Sequence, residues 1–417
     1  MALEPKQFLL LLFQAGLAAA DPKARLVPHF PPAPKGRLIV IGAGKAAAAM
    51  AQAAEDFYGG LASGVVVTRD GYSLPTRHIE VREAAHPLPD QRSVTTAQRI
   101  LAMATQARAD DLVLCLWSGG ASSLMVAPAS GLMFDEKLRI NAALLKCGAA
   151  IDEINCVRKH LSDIKGGRLA QACGLARVVS LIVSDVVGDD VSVIASGPTA
   201  PDPTTCTEAL GILDKYAVGV SDFVRTQLSG GAWETPKKLS ISVTNSIVIR
   251  PKDMFTAAQK FCTTHGVACI DMGDQWTGEA GLVAAQHAAK VREVIAQRGV
   301  SSPPCLILSG GEAVVRVRGS GQGGPNTEFA LALARELQGQ PGVFALACDS
   351  DGTDGNGHHA GAVVTPDVLT RAKVLGRDPA QAEAHNDTAR FFEALGDLVV
   401  TGPTFTNVND FRAILIV

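Results

Sequence analysis

The sequence predicts an α/β fold of two domains, the first with a parallel sheet carrying helices on both faces and the second with a mixed sheet. Continuous aliphatic runs such as 36–44 alternate with stretches of high helix propensity such as 46–58. A length of 417 residues is sufficient for two to three domains. The segment 229–240 contains glycine, proline and lysine and indicates a boundary, so we predict domains 1–235 and 236–417.

The composition excludes several classes of protein. Hydrophobic residues make up 47% and charged residues 19%, which excludes a mainly disordered chain. The 38 basic and 41 acidic residues give a net charge of −3, so a nucleic-acid binder is not expected. The nine cysteines are odd in number and show no C-x-x-C spacing, which favours free thiols in the cytoplasm. No apolar run reaches the roughly 18 residues of a membrane span.

The N-terminal segment and several helices can be predicted from local pattern. The apolar segment 8–20 partly resembles a signal peptide, but Glu4 weakens the basic leader and Asp21-Pro22 is a typical helix end, so we predict a docked helix. The alternation of apolar and polar residues in 312–319 predicts an antiparallel strand of the second sheet. Further helices are predicted at 90–107, 252–265, 278–297 and 326–338.

Two glycine-containing turns follow predicted strands. Gly42-Ala43-Gly44-Lys45 leads into an alanine-rich helix, where bare backbone and a helix N-terminus favour an anion. It is not a Walker A loop, and the third position of a G-x-G-x-x-G pattern is occupied by Ala47, so a tight structural turn explains it equally well. The second turn contains small residues and hydroxyls that can bind phosphate or carboxylate, or form a simple turn: Ser118, Gly119, Gly120 and Ser122.

Charged residues follow in two further segments. Asp185, Asp189 and Asp190 come after the aliphatic run 177–183, and carboxylates at a strand end can hold Mg²⁺ or act as a base, although turns also favour Asp. The segment 158–168 is basic and interrupted by glycines, which suits an anionic ligand or an exposed helix end.

The C-terminal half carries a second glycine-rich loop and another acidic turn. The loop 319–324 leads through Pro325 into a helix, and it predicts either a second phosphate site or a flexible hairpin. The acidic turn 349–355 resembles a calcium loop superficially, but Asp354 and Ala360 occupy the EF-hand's glycine and closing glutamate positions, so we exclude that interpretation.

Taken together, these motifs resemble the type II glycerate kinases (glycerate 2-kinases) of the MOFRL family. The similar segments occur in family order over nearly the whole chain: IGAGKAAAAMA, AAHPLPD, LWSGGASSLM, VRKHLSDIKGGRLA, SLIVSDVVGDDVSVIASGPTAPD, LSGGEAVVRVRGSGQGGPNTEFALALA, ACDSDGTDG and TGPTFTNVNDFRAILI. The resemblance implies an N-terminal Rossmann-like glycerate kinase domain and a C-terminal MOFRL-type α/β domain. It also implies ATP, Mg²⁺ and D-glycerate, with phosphate placed on the 2-hydroxyl to give 2-phosphoglycerate.

The resemblance also implies roles for individual residues. Lys45 and Asp189 match the catalytic residues, and Asp185, Asp189 and Asp351 match metal ligands. The matching substrate- and nucleotide-binding residues are Gly42, Gly44, Ser118, Gly119, Gly120, Ser122, Arg158, Lys159, Ser196, Gly323, Gly324, Asn326, Glu328 and Asn407.

One departure from the family pattern concerns charge. Many members have Arg before Asn-Gln-Glu after the paired glycines, whereas this chain has Pro325 before Asn326, Thr327 and Glu328. Two interpretations follow: either another cation, such as Arg158 or Lys159, neutralises the transferring phosphate, or that charge is neutralised less completely than in other members.

Two other functions remain open at this stage. An NAD(P)H-dependent hydroxypyruvate reductase would use Gly42–Lys45, and a non-catalytic sugar-acid-binding regulator would tolerate loss of Lys45. We expect small-molecule substrates, no nucleic acid and no membrane. A homodimer is allowed, but the sequence does not decide the oligomeric state.

Overall fold

The computed structural model describes residues 3–299 and 302–417. The chain divides into two compact units, which we call the N-terminal unit, Pro22–Val248, and the C-terminal unit, Ile249–Val417 together with Met1–Asp21. The compact units separate after Val248, 13 residues beyond the predicted domain boundary at 235. The domain boundary itself stays a prediction. Among the described residues, no helix combines the length and the apolar character that crossing a bilayer requires.

The first helix, α1 (Pro5–Ala19), belongs to the C-terminal unit. Phe8, Leu9, Leu12, Phe13 and Gly16 form its buried face. The ring of Phe13 lies 5.6 Å from that of Phe411, between centroids. The predicted docked helix is therefore confirmed.

The N-terminal unit contains one six-stranded sheet of order β3-β2-β1-β4-β5-β6. The pairs β3–β2, β2–β1, β1–β4 and β4–β5 are parallel. Its strands are β1 (Leu38–Ala43), β2 (Ala62–Arg69), β3 (Ile79–Ala84), β4 (Leu112–Trp117), β5 (Arg177–Val183) and β6 (Val243–Ile249). Its helices are α2 (Pro22–Leu26), α3 (Ala47–Tyr58), α4 (Gln91–Thr105), α5 (Ala121–Leu124), α6 (Phe134–Lys146), α7 (Ile151–His160), α8 (Arg168–Ala172), α9 (Cys206–Lys215) and α10 (Asp222–Ser229).

This sheet confirms the predicted parallel, doubly covered architecture. Every residue of β1 and of β4 is buried, because helices cover both faces of the sheet. The strand order reverses between β1 and β4, which is the order of Rossmann-like folds. Ligands of such sheets bind beyond the carboxyl ends of the strands at this reversal. A separate apolar cluster joins α6, α7, α9 and α10.

The C-terminal unit contains a mixed sheet of order β13-β12-β11-β14-β9-β7, as predicted for the second domain. Among the described strand pairs of this six-stranded sheet, β7–β9 is parallel and the others are antiparallel. Its strands are β7 (Ala268–Asp271), β8 (Gly278–Glu279), β9 (Cys305–Gly311), β10 (Ala313–Val314), β11 (Val343–Asp349), β12 (Gly361–Val364), β13 (Leu398–Val399) and β14 (Asp410–Ile416). Its further helices are α11 (Pro251–Thr264), α12 (Ala280–Gln297), α13 (Pro325–Leu337), α14 (Val368–Val374), α15 (Pro379–Ala384) and α16 (Thr388–Leu395).

One predicted strand is wrong. The segment 312–319 forms only the two-residue strand β10, which pairs in parallel with β8 in a small separate sheet. Its alternation does not reflect one buried face, because Val314 and Val317 are both largely exposed. The four predicted helices outside α1 are confirmed as α4, α11, α12 and α13.

The packing of α1 makes a testable prediction for the stability of the C-terminal unit. Phe13→Ala removes a ring that is 1% exposed and leaves a cavity against Phe411, so we expect a loss of about 3–5 kcal/mol in the free energy of unfolding. Native-state hydrogen exchange in α11 and β14 measures this loss. The control Gln14→Ala, on the exposed face of α1, should change stability by less than about 0.5 kcal/mol. Equal exchange in the two variants would contradict the docking of α1.

Candidate functional site

The carboxyl ends of β1 and β4 approach each other so closely that glycine is required. A Cβ atom at Gly42 would lie 2.5 Å from the carbonyl oxygen of Leu116. At Gly44, which has a φ of +131°, a Cβ atom would lie 2.1 Å from Oγ of Ser118. The two predicted glycines therefore allow the turns after β1 and β4 to meet.

Hydrogen bonds then join these two turns. The backbone N–H of Lys45 donates to the carbonyl of Gly119 at 2.8 Å, and that of Ser118 donates to the carbonyl of Ala43 at 3.1 Å. The buried hydroxyl of Ser118 accepts the N–H of Ala46 at 3.0 Å. Ser118 thus positions the backbone around Lys45, and whether it also binds a ligand stays a prediction.

The side chain of Lys45 lies beside the second glycine of the β4 turn. A Cβ atom at Gly120, where φ is +82°, would lie 3.4 Å from Cγ of Lys45 and 2.9 Å from Nε2 of His86. The structure therefore brings together Lys45, Gly119 and Gly120 and adds His86. Sequence reasoning assigned no role to His86, although AAHPLPD was among the family segments.

A third turn, after β5, meets the helix that follows the β4 turn. The hydroxyls of Ser122 and Ser196 are hydrogen-bonded at 2.8 Å. Ser196 is fully buried, has a φ of +60° and also donates to Oδ1 of Asn155 at 3.4 Å. The sequence predicted both serines as ligand-binding residues but not Asn155. Its contact with Ser196 depends on how α7 packs, which local pattern does not predict.

The acidic turn 185–190 lies directly after β5, at the same edge of the sheet as Lys45. Asp189 has a φ of +57°, and its N–H donates to the carbonyl of Val186 at 3.1 Å. The carboxylate of Asp190 accepts the N–H of Ser192 at 2.8 Å. Asp185 and Asp189 present hard oxygen ligands on one turn, which is the donor type that Mg²⁺ prefers.

The adjacent cations Arg158 and Lys159 have different environments. Lys159 forms a buried ion pair with Asp202, at 3.2 Å between Nζ and Oδ1. Burial raises the pKa of that carboxyl, but the charge of Lys159 and hydrogen bonds from Thr204 outweigh it, so the pKa lies below its ordinary value. Arg158 is half-buried and forms no hydrogen bond or ion pair with another residue in the described parts of the chain. A ligand can therefore reach Arg158 without breaking an existing pair, whereas Lys159 is committed to Asp202.

In the C-terminal unit, the glycine-rich loop packs closely against a neighbouring turn. A Cβ atom at Gly324 would lie 2.4 Å from Oδ1 of Asp354, and one at Gly323 would lie 2.3 Å from Oγ1 of Thr388. A cavity of about 280 Å³ adjoins the loop and is lined by Gly323, Gly324 and Glu328, among others. Three predicted residues therefore meet at one cavity.

The N-terminus of α13 is already capped by a carboxylate. Asp354 accepts the N–H groups of Asn326 and Thr327, each at 2.8 Å, and it also accepts the Thr327 hydroxyl. An anion would compete with Asp354 for these donors, so the cavity beside the loop is the more accessible place. Sequence reasoning considered Asp354 only within a calcium loop and missed this contact.

The remaining predicted residues of the C-terminal unit have different surroundings. Burial raises the pKa of Glu328, which accepts from Nδ2 of Asn386 at 3.2 Å beside the cavity. Asn326 is buried and donates to Oδ1 of Asp410 at 2.6 Å. Asp351 is buried and accepts the N–H of Thr353 at 2.7 Å, and Asn407 is also buried.

Comparison with known proteins finds two family models and several relatives that together cover most of the chain. Residues 8–229 match the "Domain of unknown function (DUF4147)" and residues 305–410 match the "MOFRL family". An Agrobacterium vitis protein named "Putative hydroxypyruvate reductase" is 45% identical, over 99% of this chain and 94% of that protein. The "D-glycerate 2-kinase" of Thermotoga maritima is 38% identical, over 99% of this chain and 98% of that protein. A crystal structure of a glycerate kinase from Thermotoga maritima has a TM-score of 0.88, 38% identity and 99% coverage of both chains.

The cap on α13 generates a stability prediction. Asp354→Ala leaves buried backbone donors without an acceptor, so we expect a loss of about 2–4 kcal/mol in the stability of the C-terminal unit, measured by urea denaturation. The matched control is Asp378→Ala, which removes an exposed cap on α15 and should cost about 1 kcal/mol. A loss no larger than that of the control would show that Asp354 is not a buried cap.

Proposed function

The chain belongs to the glycerate kinase family that joins a DUF4147 domain to a MOFRL domain, and on this basis we propose that it phosphorylates the 2-hydroxyl of D-glycerate with ATP, giving 2-phosphoglycerate and ADP. The observation that carries the proposal is the meeting of Lys45 with the turn 118–120 at the reversal point of the parallel sheet. Glycine-lined strand ends there leave backbone close to the ligand position, and Lys45 supplies a flexible cation.

The proposed role of these turns is to position and neutralise phosphate. Phosphoryl transfer needs alignment of the acceptor with the γ-phosphate and stabilisation of its charge, and little covalent chemistry by the protein. The bonds from Lys45 and Ser118 to the opposite turn fix the backbone before a substrate arrives. The ammonium of Lys45 then neutralises phosphate oxygens as the bond to the β-phosphate oxygen breaks.

Asp189 is the proposed base and metal ligand. Its carboxylate accepts the proton of the 2-hydroxyl while that oxygen forms the new bond to phosphorus, and ADP leaves. The residues of the 185–190 turn fit Mg²⁺ by the chemistry of their oxygen donors, with Asp185 as the second proposed ligand. A bound Mg²⁺ would supply additional neutralisation of phosphate charge. Asp351 stays a proposed ligand, and its Oδ1 is shared with the N–H of Thr353.

The second candidate, a hydroxypyruvate reductase, is favoured by the name of the Agrobacterium vitis relative and by the Rossmann-like strand order. A nicotinamide cofactor requires an acidic residue near the end of the second strand to bind the ribose hydroxyls. Here Asp70, which follows β2, is held by both terminal nitrogens of Arg92, at 2.6 and 2.8 Å. With Ala47 in place of the third glycine, the dinucleotide site is incomplete, so we prefer the kinase.

We also propose a cytoplasmic location, which the nine free cysteines support, because disulfides are rare in that compartment. A homodimer is the assembly that we propose to test, and analytical ultracentrifugation would measure the mass of the protein in solution.

The function is tested with ATP, Mg²⁺ and D-glycerate. Phosphorus NMR of the product should show 2-phosphoglycerate, which is distinguishable from 3-phosphoglycerate. In parallel, hydroxypyruvate with NADH or NADPH should leave nucleotide absorbance unchanged. Reduction of hydroxypyruvate without phosphorylation of glycerate would establish the second candidate instead.

Lys45→Met should reduce kcat by about a hundredfold, because a charge-assisted contact worth about 3 kcal/mol in the transition state is lost. The exposed Lys215, paired with Glu153, provides the matched control Lys215→Met, which should keep kcat within about twofold. Circular dichroism checks that both variants are folded. A folded Lys45→Met enzyme with normal kcat would remove Lys45 from the mechanism.

A further inference from the structure

A group of four basic side chains lies between α6, α7 and the start of α8. We call Lys137, Arg158, Lys165 and Arg168 the cation cluster. Lys137 and Lys165 are 2% and 1% exposed, and the two arginines are half-buried. Their mutual electrostatic influence shows in the pKa of Lys165, which burial, Lys137 and Arg158 together lower well below its ordinary value.

The cations of the cluster contact neutral oxygens instead of carboxylates. Lys137 donates to the carbonyl of Leu161 at 2.5 Å, and Lys165 donates to the carbonyl of Ser122 at 3.0 Å. Arg168 donates to backbone carbonyls, including that of Ser162. Carbonyl dipoles orient a cation but do not cancel its charge, so burial and neighbouring cations lower the pKa of both lysines, that of Lys137 to about 7. An anion bound beside them would favour their charged forms.

Carboxylates act on two members of the cluster: Asp163 acts on Lys137, and Asp163, Asp202 and Glu234 act on Arg168. The charged groups that act on Lys165 are the cations Lys137 and Arg158. The neighbouring Lys159 shows the usual solution in this protein, a buried pair with Asp202. Burying cations without a counter-ion is costly and lowers their pKa, so binding an anion beside Lys165 would relieve an existing cost.

The cluster borders the proposed active site. Lys165 bonds the carbonyl of Ser122, and Ser122 follows Gly120, beside Lys45, by two residues. Two residues span at most about 7 Å, so the carbonyl that Lys165 contacts belongs to the same short turn that adjoins Lys45.

We propose that Arg158, supported by Lys165, binds the carboxylate of the acceptor substrate, a small 2-hydroxy acid. This inference rests on the proposed kinase function and adds the residues that select the acid. Arg158 has its five donors available and a planar group suited to two carboxylate oxygens. Lys165 holds the turn at Ser122 in place through its bond to that carbonyl, and a carboxylate bound at Arg158 would favour the charged form of Lys165.

Kinetics test the proposal with Arg158→Gln and Lys165→Met. Both variants should raise KM for D-glycerate at least about tenfold and leave KM for ATP within about twofold, since a charge-assisted contact to the acceptor alone is lost. Arg225→Gln removes an exposed cation paired with Asp214 and should change neither constant. An unchanged KM for glycerate, or a larger rise in KM for ATP, would overturn the carboxylate assignment.

A stability measurement separates this role from a purely structural one. Removing an uncompensated buried charge while keeping its volume should leave the Tm of ligand-free Lys165→Met equal to or above that of the wild type. The matched variant Lys159→Met leaves the buried carboxylate of Asp202 without its counter-ion and should lower Tm. A fall in Tm for Lys165→Met as large as that for Lys159→Met would show that Lys165 only supports the fold.

Direct binding separates failure of this proposal from failure of the kinase function. Calorimetry measures the binding of D-glycerate, of its neutral amide glyceramide and of inorganic phosphate, each without nucleotide. The wild type should bind glycerate at least tenfold more tightly than glyceramide. Arg158→Gln should lose this preference. Preference for glycerate in a protein that does not phosphorylate it would overturn the kinase and keep the site. Preference for phosphate that depends on Arg158, or equal binding of glycerate and its amide, would overturn the site.

Discussion

The close approach of β1 to its two neighbours, which only glycine permits, is the constraint on which the N-terminal unit depends. A Cβ atom at Gly64 would lie 1.7 Å from the carbonyl oxygen of Val40, and one at Gly42 would lie 2.5 Å from that of Leu116. Because β1 is in the middle of a parallel sheet, its carboxyl end meets the ends of β2 and β4. The turns at Gly44 and Ser118 then have no room for side chains between them, so backbone atoms line this part of the proposed site.

Much of this organisation could be predicted from the sequence, because it depends on local pattern. Aliphatic runs gave the parallel strands, and helix propensity gave α4, α11, α12 and α13. What could not be predicted depends on contacts between distant residues. Lys159 and Arg158 are equivalent in the sequence, yet packing brings Asp202 to one and not to the other. The cap of α13 by Asp354 likewise joins segments 28 residues apart.

Buried charge is therefore used in two ways within one short stretch of chain. The pair of Lys159 and Asp202 is completed within the protein and holds α7 to the segment that precedes α9. Lys137 and Lys165 donate hydrogen bonds to carbonyl groups and, among the described residues, to no carboxylate, and carbonyls solvate charge incompletely. Stability and ligand affinity are opposing demands on such a cluster, and proteins commonly accept weaker folding at a functional site.

The position of α1 has a consequence for the biosynthesis of the protein. The segment FLLLLF is translated long before its packing partners α11 and β14, which end at Thr264 and Ile416. At about 5–20 residues per second, the ribosome needs roughly 20–80 s to produce them. Before β14 has been made, the whole of Pro22–Val248 is available to fold, whereas the apolar face of α1 lacks part of the surface that covers it. A holdase chaperone that shields α1 over this interval would thus serve the C-terminal unit, although it binds a segment far from β14 in the sequence.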